Sequence, residues 1–204
     1  DWFDQLYSNS LMMNHSISMS TGSEKSSSYI SISMMNDPGW MKQSQVSRYT
    51  ANLNNTYNLS KEFSFTGIAN ASYRKQRAPG TLGQSSDAVS GEVSRSFDIN
   101  PFSYALNTSR TLDPNEYYTR NYADFNIFNE LENNYITLNI VDLKFQGEFK
   151  WKHKSGLQLS LLGALKHSSV SQNHQIRDMS NQALAYRAMG DATIINSNNW
   201  LYKD

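Results

Sequence analysis

The chain has no cysteine, no net charge and no long hydrophobic run, and each absence excludes a class of protein. Without cysteine there is neither a disulfide framework nor a thiolate metal site, and the redox compartment is not written in the sequence. Eighteen basic residues balance eighteen acidic ones. The basic excess of a nucleic-acid binder is therefore missing. No run approaches the ~18 apolar residues of a membrane helix. Asp1-Trp2-Phe3-Asp4 has neither the basic start nor the apolar stretch of a signal peptide, and no initiator methionine, so Asp1 reads as the interior of a longer chain. The mean hydropathy of −0.62 and hydrophobic fraction of 38% are low for a compact core, yet aromatics at 12% are too many for a disordered chain. A β-barrel in an outer membrane reconciles the two, because half of each strand faces water or the lumen.

What is present is alternation. In residues 141–151, Val141, Leu143, Phe145, Phe149 and Trp151 point one way. Asp142, Lys144, Gln146, Glu148 and Lys150 point the other. Five further segments follow the same rule. Leu11, Met13, Ile17 and Met19 oppose Asn14 and three serines; Ile30, Ile32 and Met34 oppose Ser31 and Ser33. Tyr49, Ala51, Leu53, Tyr57 and Leu59 oppose Arg48, Asn52 and Asn54, among others. Phe63, Phe65, Ala69, Ala71 and Tyr73 oppose Asn70 and Arg74; Leu157, Leu159, Leu161 and Leu165 oppose Gln158, Ser160 and Lys166. Asn55, Ile68 and Leu162 break the pattern singly. Ile136, Leu138 and Ile140 have the opposite parity to Val141 onward, which a β-bulge near Ile140–Val141 would re-phase; alternatively this part stands outside the membrane.

The connections alternate short and long. The short ones are 21–25, 58–61 and 152–156. The long ones run from Asn36 to about Ser44, with Asp37-Pro38-Gly39 as a turn signal, and from 75 to 134; the tail from about 172 to 204 starts a third. Short turns at one end and long loops at the other are the rhythm of a transmembrane barrel. The expected fold class is therefore all-β, an antiparallel transmembrane barrel segment of about six strands with long extracellular loops. No amphipathic helix strong enough for a βαβ unit lies between the strands. The 75–134 loop carries turn signals around short helices and many aromatics, so it reads as ordered.

Catalytic chemistry finds little to stand on. His15, His153, His167 and His174 have no metal-ligand spacing, so no metal and no cofactor is expected. Glu130 and Glu132 would share a face in a strand, as a glycosidase pair does, but they read as a polar loop end. Asp113-Pro114-Asn115-Glu116 lacks a calcium loop's repeat and reads as a turn. Gly80-Thr81-Leu82-Gly83 has no lysine to make it a phosphate loop. No catalytic residue is assigned, and an enzyme is not expected. The best ligand-binding candidates are Tyr117, Tyr118, Arg120, Asn121, Tyr122 and Phe125 in the long loop. Ring faces beside amide and guanidinium donors suit sugars and peptide backbones. The competing expectation for these rings is self-packing of the loop. Trp151, Phe149, Phe63 and Phe65 flank the short turns as an interfacial girdle would.

Asp1-Trp2-Phe3-Asp4-Gln5-Leu6-Tyr7, then 14–25, Ser28-Tyr29-Ile30-Ser31-Ile32-Ser33-Met34, Asn36-Asp37-Pro38-Gly39, Arg48-Tyr49, Asn100-Pro101-Phe102 and Asn129-Glu130-Leu131-Glu132-Asn133-Asn134 together resemble the early barrel of SusC/RagA-type TonB-linked outer-membrane proteins. The resemblance runs over nearly the whole chain. It implies a TonB-dependent receptor with a plug and a barrel of about 22 strands. Residues 1–204 would be part of that barrel, with plug, first strand and later strands outside it, placed in the outer membrane of a Bacteroidetes-like Gram-negative bacterium. It implies import of oligosaccharides or peptides. The partners would be a SusD-like surface lipoprotein, the TonB complex acting through the plug, the rest of the barrel, and outer-membrane lipid; no nucleic acid is expected. Arg48, Asn52, Asn54, Asn70, Arg74, Lys144, Gln146 and Glu148 would then face the lumen. The rival expectation is a soluble or surface-attached β-sandwich that binds glycans, with Phe145, Phe149, Leu159 and Leu161 in its core.

Overall fold

The structure, a computed structural model, describes residues 1–80, 84–87, 92–95, 101–120, 123–188 and 200–201. A short helix, α1 (Trp2–Leu6), precedes four strands: β1 (Met13–Gly22), β2 (Ser26–Asp37), β3 (Gln45–Asn58) and β4 (Phe63–Pro79). The long connection holds β5 (Gln84–Asp87), β6 (Glu92–Arg95), α2 (Pro101–Asn107), β7 (Tyr118–Arg120), β8 (Ala123–Phe125) and α3 (Ile127–Asn133). Then come β9 (Asn134–Lys152), β10 (Gln158–Arg177), α4 (Asn181–Ala188) and the two-residue β11 (Trp200–Leu201). The fold is dominated by one antiparallel sheet in the order β1-β2-β3-β4-β9-β10-β11. The pairs β5–β6 and β7–β8 form two separate small ribbons.

The six long strands are thus the six alternating segments, joined as an up-and-down meander. Their short turns are built from local side chains. Ser23 Oγ accepts from Ser26 N at 3.1 Å and Lys25 N at 3.3 Å; Ser60 Oγ accepts from Glu62 N and Phe63 N, both at 3.1 Å. The β9–β10 turn needs Gly156, whose φ of +89° is costly for other residues. All three short turns lie at one end of the sheet, and the long connections lie at the other.

The register is unbroken, and it corrects three expectations. Val141 pairs Tyr73 and Ser169 while Ile140 pairs Arg74 and Val170, so no bulge separates them. The parity inversion is instead a change in which face is covered: Ile136, Leu138 and Ile140 are buried, on the face opposite Val141 and Leu143. The strands also run further than their hydrophobic pattern. β4 continues to Pro79 and β9 begins at Asn134, shortening the long connection to 80–133, and β10 continues past 172 to Arg177.

A hydrophobic cluster sits at the long-connection end. Trp2 and Leu6 of α1, Tyr104 and Ala105 of α2, Phe125, and Ile127 and Leu131 at α3 are all buried together. Trp2 stands edge-on to Tyr104 with centroids 5.2 Å apart, and its Nε1 donates to Ser109 O at 2.8 Å. Asn126 caps α3 by accepting from Phe128 N and Asn129 N. Its amide also donates to Pro114 O at 2.7 Å and Glu116 O at 3.0 Å, which ties the Asp113–Glu116 turn to the helix. α3 and α4 pack on β9 and β10, so this cap covers the upper part of one sheet face.

Candidate functional site

The register sorts the residues of the six long strands onto two faces. One face is apolar over a broad band. Its cross-strand rows include Ile17–Ile32–Ala51–Ala71–Leu143 and Met19–Ile30–Leu53–Ala69–Phe145–Leu165. Lower down, Tyr57–Phe65–Phe149–Leu161 and Phe63–Trp151–Leu159 complete it. The rings at this lower edge meet: Phe63 lies 5.6 Å from Phe149 and 6.2 Å from Trp151. Between them Gly67, Gly147 and Gly163 form a row without side chains, and the Phe65 ring lies over the first two.

This band is open. Phe145 is 56% exposed, Phe149 38%, Leu159 55% and Leu161 74%, so none lies in a core among the described residues. Six strands at ~4.8 Å spacing and columns of several residues give an apolar area on the order of 700 Å². The largest apolar patch of a typical soluble monomer is about 300–600 Å².

The band is also slanted. On β1 it spans Met13 to Met19, whereas on β10 it spans Leu165 to Leu159 and the paired row of Ile17 is already His167. Its midpoint drops by about 1.2 residues per strand, which at ~3.3 Å rise and ~4.8 Å spacing is a slant of roughly 40°. Val141 to Trp151 spans ~33 Å along the strand, or ~25 Å once inclined, matching the ~25 Å apolar band of membrane barrels.

The opposite face is polar, and it holds every residue expected at a lumen. Arg48, Asn52, Asn54, Asn70, Arg74, Lys144, Gln146 and Glu148 all fall on it. Ser31, Asn52 and Asn70 form a ladder, with Asn52 Nδ2 donating to Ser31 Oγ at 3.2 Å and Asn70 Nδ2 to Asn52 Oδ1 at 2.8 Å. Arg48 is directly opposite Arg74, and Lys144 directly opposite Lys166. Like charges so placed repel. The acids on the same stretch have other partners: Asp142 accepts from Ser168 Oγ at 2.7 Å, and Glu148 pairs Lys150 at 3.0 Å.

The loop candidates separate. Phe125 is fully buried and has no ring surface for a ligand. Tyr118 packs on it at 5.3 Å, as part of the cap cluster. Both rings follow the self-packing expectation. Tyr117 is 56% exposed. Arg120 lies on β7; its side chain, Asn121 and Tyr122 lie outside the described residues, as does most of Gly80–Gly83. A different aromatic group is the more open surface. Phe3, Tyr7, Trp40 and Phe102 line a groove of about 670 Å³ together with Asp4 and Ser8–Ser10. Trp40 is 80% exposed, and Tyr7 bridges to Met41 beside it. The sequence hid this group because its members come from three distant segments.

Glu130 needs correction. It lies on α3 rather than in a strand or a polar loop end, and it is buried while Glu132 is exposed. Glu130 Oε1 accepts from Asn134 Nδ2 at 2.8 Å and Oε2 from Asn181 N at 2.6 Å, at the start of α4. Burial pushes its carboxyl above the usual glutamate range, against the opposing effect of these hydrogen bonds. It is a structural anchor of the cap. His174 is within 2.7 Å of Asn134 Oδ1 in the same cluster, and no metal-binding group of side chains occurs among the described residues. No known protein-family model matches the chain, and no curated protein matches it.

Proposed function

We propose that this chain is a wall segment of an outer-membrane transport barrel, of the TonB-dependent SusC/RagA-like type, that imports oligosaccharides or peptides together with a SusD-like surface lipoprotein. The observation that carries the reading is the open apolar band of about membrane height, slanted as barrel strands are, with short turns at one end and the long connections at the other. In that setting the apolar face meets lipid and the polar face lines the lumen or meets a plug. The edge of β1, and that of β10 below the two residues paired with β11, are edges that lipid cannot satisfy, so further strands of the barrel would pair them. Bond-making chemistry has no part in the reading. The work is gated passage: the wall supplies Asn, Ser, Arg and Lys groups to a hydrated path, and the cap narrows its outer mouth. The groove of Phe3, Tyr7, Trp40 and Phe102 offers ring faces to a sugar or peptide, or to the lipoprotein lid.

The test is fractionation followed by uptake. The protein is expected in the outer-membrane fraction and to leave it only with detergent. Uptake of labelled oligosaccharide or peptide by the intact cell is expected to stop when either the gene or the energising inner-membrane complex is inactivated. Release as a stable monomer in plain buffer would refute the reading. The sandwich alternative needs a second sheet over the band, and none lies there among the described residues.

A further inference from the structure

We propose that the upper rim of the apolar face binds the anionic, phosphate-bearing headgroups of membrane lipids through Lys75, Arg77 and Arg177. The proposal rests on the lipid-facing reading of the band. Independently of that reading, the charges are segregated between the two faces. In the six long strands every acidic side chain (Asp37, Asp142 and Glu148) belongs to the polar face. The apolar face carries three charged residues, all cationic and all at the long-connection end.

The height is right for headgroups. Tyr49 and Tyr73, stacked with centroids 6.4 Å apart, mark the top of the band. Lys75 and Arg77 follow two and four residues above Tyr73, about 7 and 13 Å along the strand and about 5 and 10 Å in height at a slant of roughly 40°. The headgroup layer extends about 5–8 Å beyond the hydrocarbon on each side, so the Lys75 backbone lies within it and the Arg77 backbone just above it, a side-chain length from its phosphates. The cations are also presented for binding. The Arg77 guanidinium lies 4.0 Å above the Tyr135 ring, and that of Arg177 lies 5.5 Å from the same ring while its Nη2 donates to Tyr135 Oη at 3.2 Å. Both guanidiniums thus rest against one ring, and each is a planar fork of the kind that suits phosphate oxygens. No carboxylate is within ion-pair distance of Lys75 or Arg77 among the described residues, and Arg77 Nε is buried there without a hydrogen-bond partner. Beside them a groove of about 980 Å³ is lined by Gln45, Ser47, Thr137 and Asn139, whose amides and hydroxyls suit the glycan or glycerol part of a headgroup.

The experiment uses the protein extracted in detergent from its own membrane, stripped of lipid, and offered bis-phosphorylated lipid A, phosphatidylcholine or inorganic phosphate, with retained lipid read by native mass spectrometry. Wild type should retain lipid A well above phosphatidylcholine. The Lys75→Gln/Arg77→Gln double variant should lose roughly thirtyfold in lipid A affinity, about fivefold for each cation near an anionic surface. Lys152→Gln/Lys154→Gln, at the opposite end, should lose none. If the double variant does not fold, Lys75→Gln alone should still lose roughly fivefold. Equal lipid A retention by wild type and the folded variants would overturn the proposal. So would equal retention of phosphatidylcholine, or complete displacement of lipid by millimolar phosphate, which would mark a free-anion site. A protein that needs no detergent would instead refute the transport-barrel reading, so the two failures are distinguishable.

Discussion

Gly80 is where the chain leaves the sheet, and it passes so close to the cap that a side chain has no room. A Cβ there would lie 2.0 Å from Asn134 Oδ1 and 2.6 Å from His174 Nε2, while Gly80 N donates to Asn134 O at 2.7 Å. Gly80→Ala is expected to cost about 1–3 kcal/mol of cap stability, seen as faster hydrogen exchange in α3 and α4 with the six long strands unchanged. Glu130, in the same cluster, makes the cap sensitive to pH. Its carboxyl titrates higher in the folded cap than in the unfolded chain, chiefly because of burial. Its contribution is therefore fully present below the ordinary glutamate range and is lost as pH rises through the raised value. Exchange at the Asn181 amide, corrected for the intrinsic rate, should show the cap opening more readily across that rise, and Glu130→Gln should abolish the dependence. A flat profile in the wild type would contradict it. Neither role could be read from the sequence, because both depend on contacts between segments far apart. Tyr118 and Phe125 teach the same lesson: ring content alone does not separate rings that pack from rings that meet a ligand.

Strands were legible wherever one face stayed apolar and the other polar, since a period of two then shows directly. They ceased to be legible above the band. At Lys75–Arg77 and Gln172–Gln175 the apolar face turns polar, so the contrast between faces vanishes although the ladder continues. On β9 the contrast reverses, because Ile136, Leu138 and Ile140 are buried on the face the cap covers. α1 escaped notice because five residues are too few for a helical period to emerge. The two faces of β9 predict opposite mutational outcomes at adjacent residues. Phe145→Arg, at the middle of the band, should cost about 2–4 kcal/mol and reduce the folded protein recovered from membranes. Gln146→Arg, on the polar face, should leave recovery near wild type. Similar losses at both positions would mean that the two faces are not differently solvated. On the polar face, Lys166→Glu would turn a like pair with Lys144 into an opposite one and should stabilise that pairing by about 0.2–1 kcal/mol, read as a higher temperature of heat modification.

For the whole molecule, what touches the open apolar band decides between a membrane wall and a soluble sheet. A slab on the order of 700 Å² left in water is unusual for a soluble protein and ordinary for a barrel wall. The absence of cysteine makes the direct measurement clean. Single cysteines would be placed in turn at 143–149 of β9, in the native membrane, and probed with a water-soluble maleimide and with a quencher dissolved in lipid. Cysteines at Leu143, Phe145 and Phe149 should be shielded from the aqueous reagent and reached by the lipid quencher. Cysteines at Lys144, Gln146 and Glu148 should behave the other way. If the first set is shielded from water and from lipid alike, the band is covered by protein, and the membrane account is wrong.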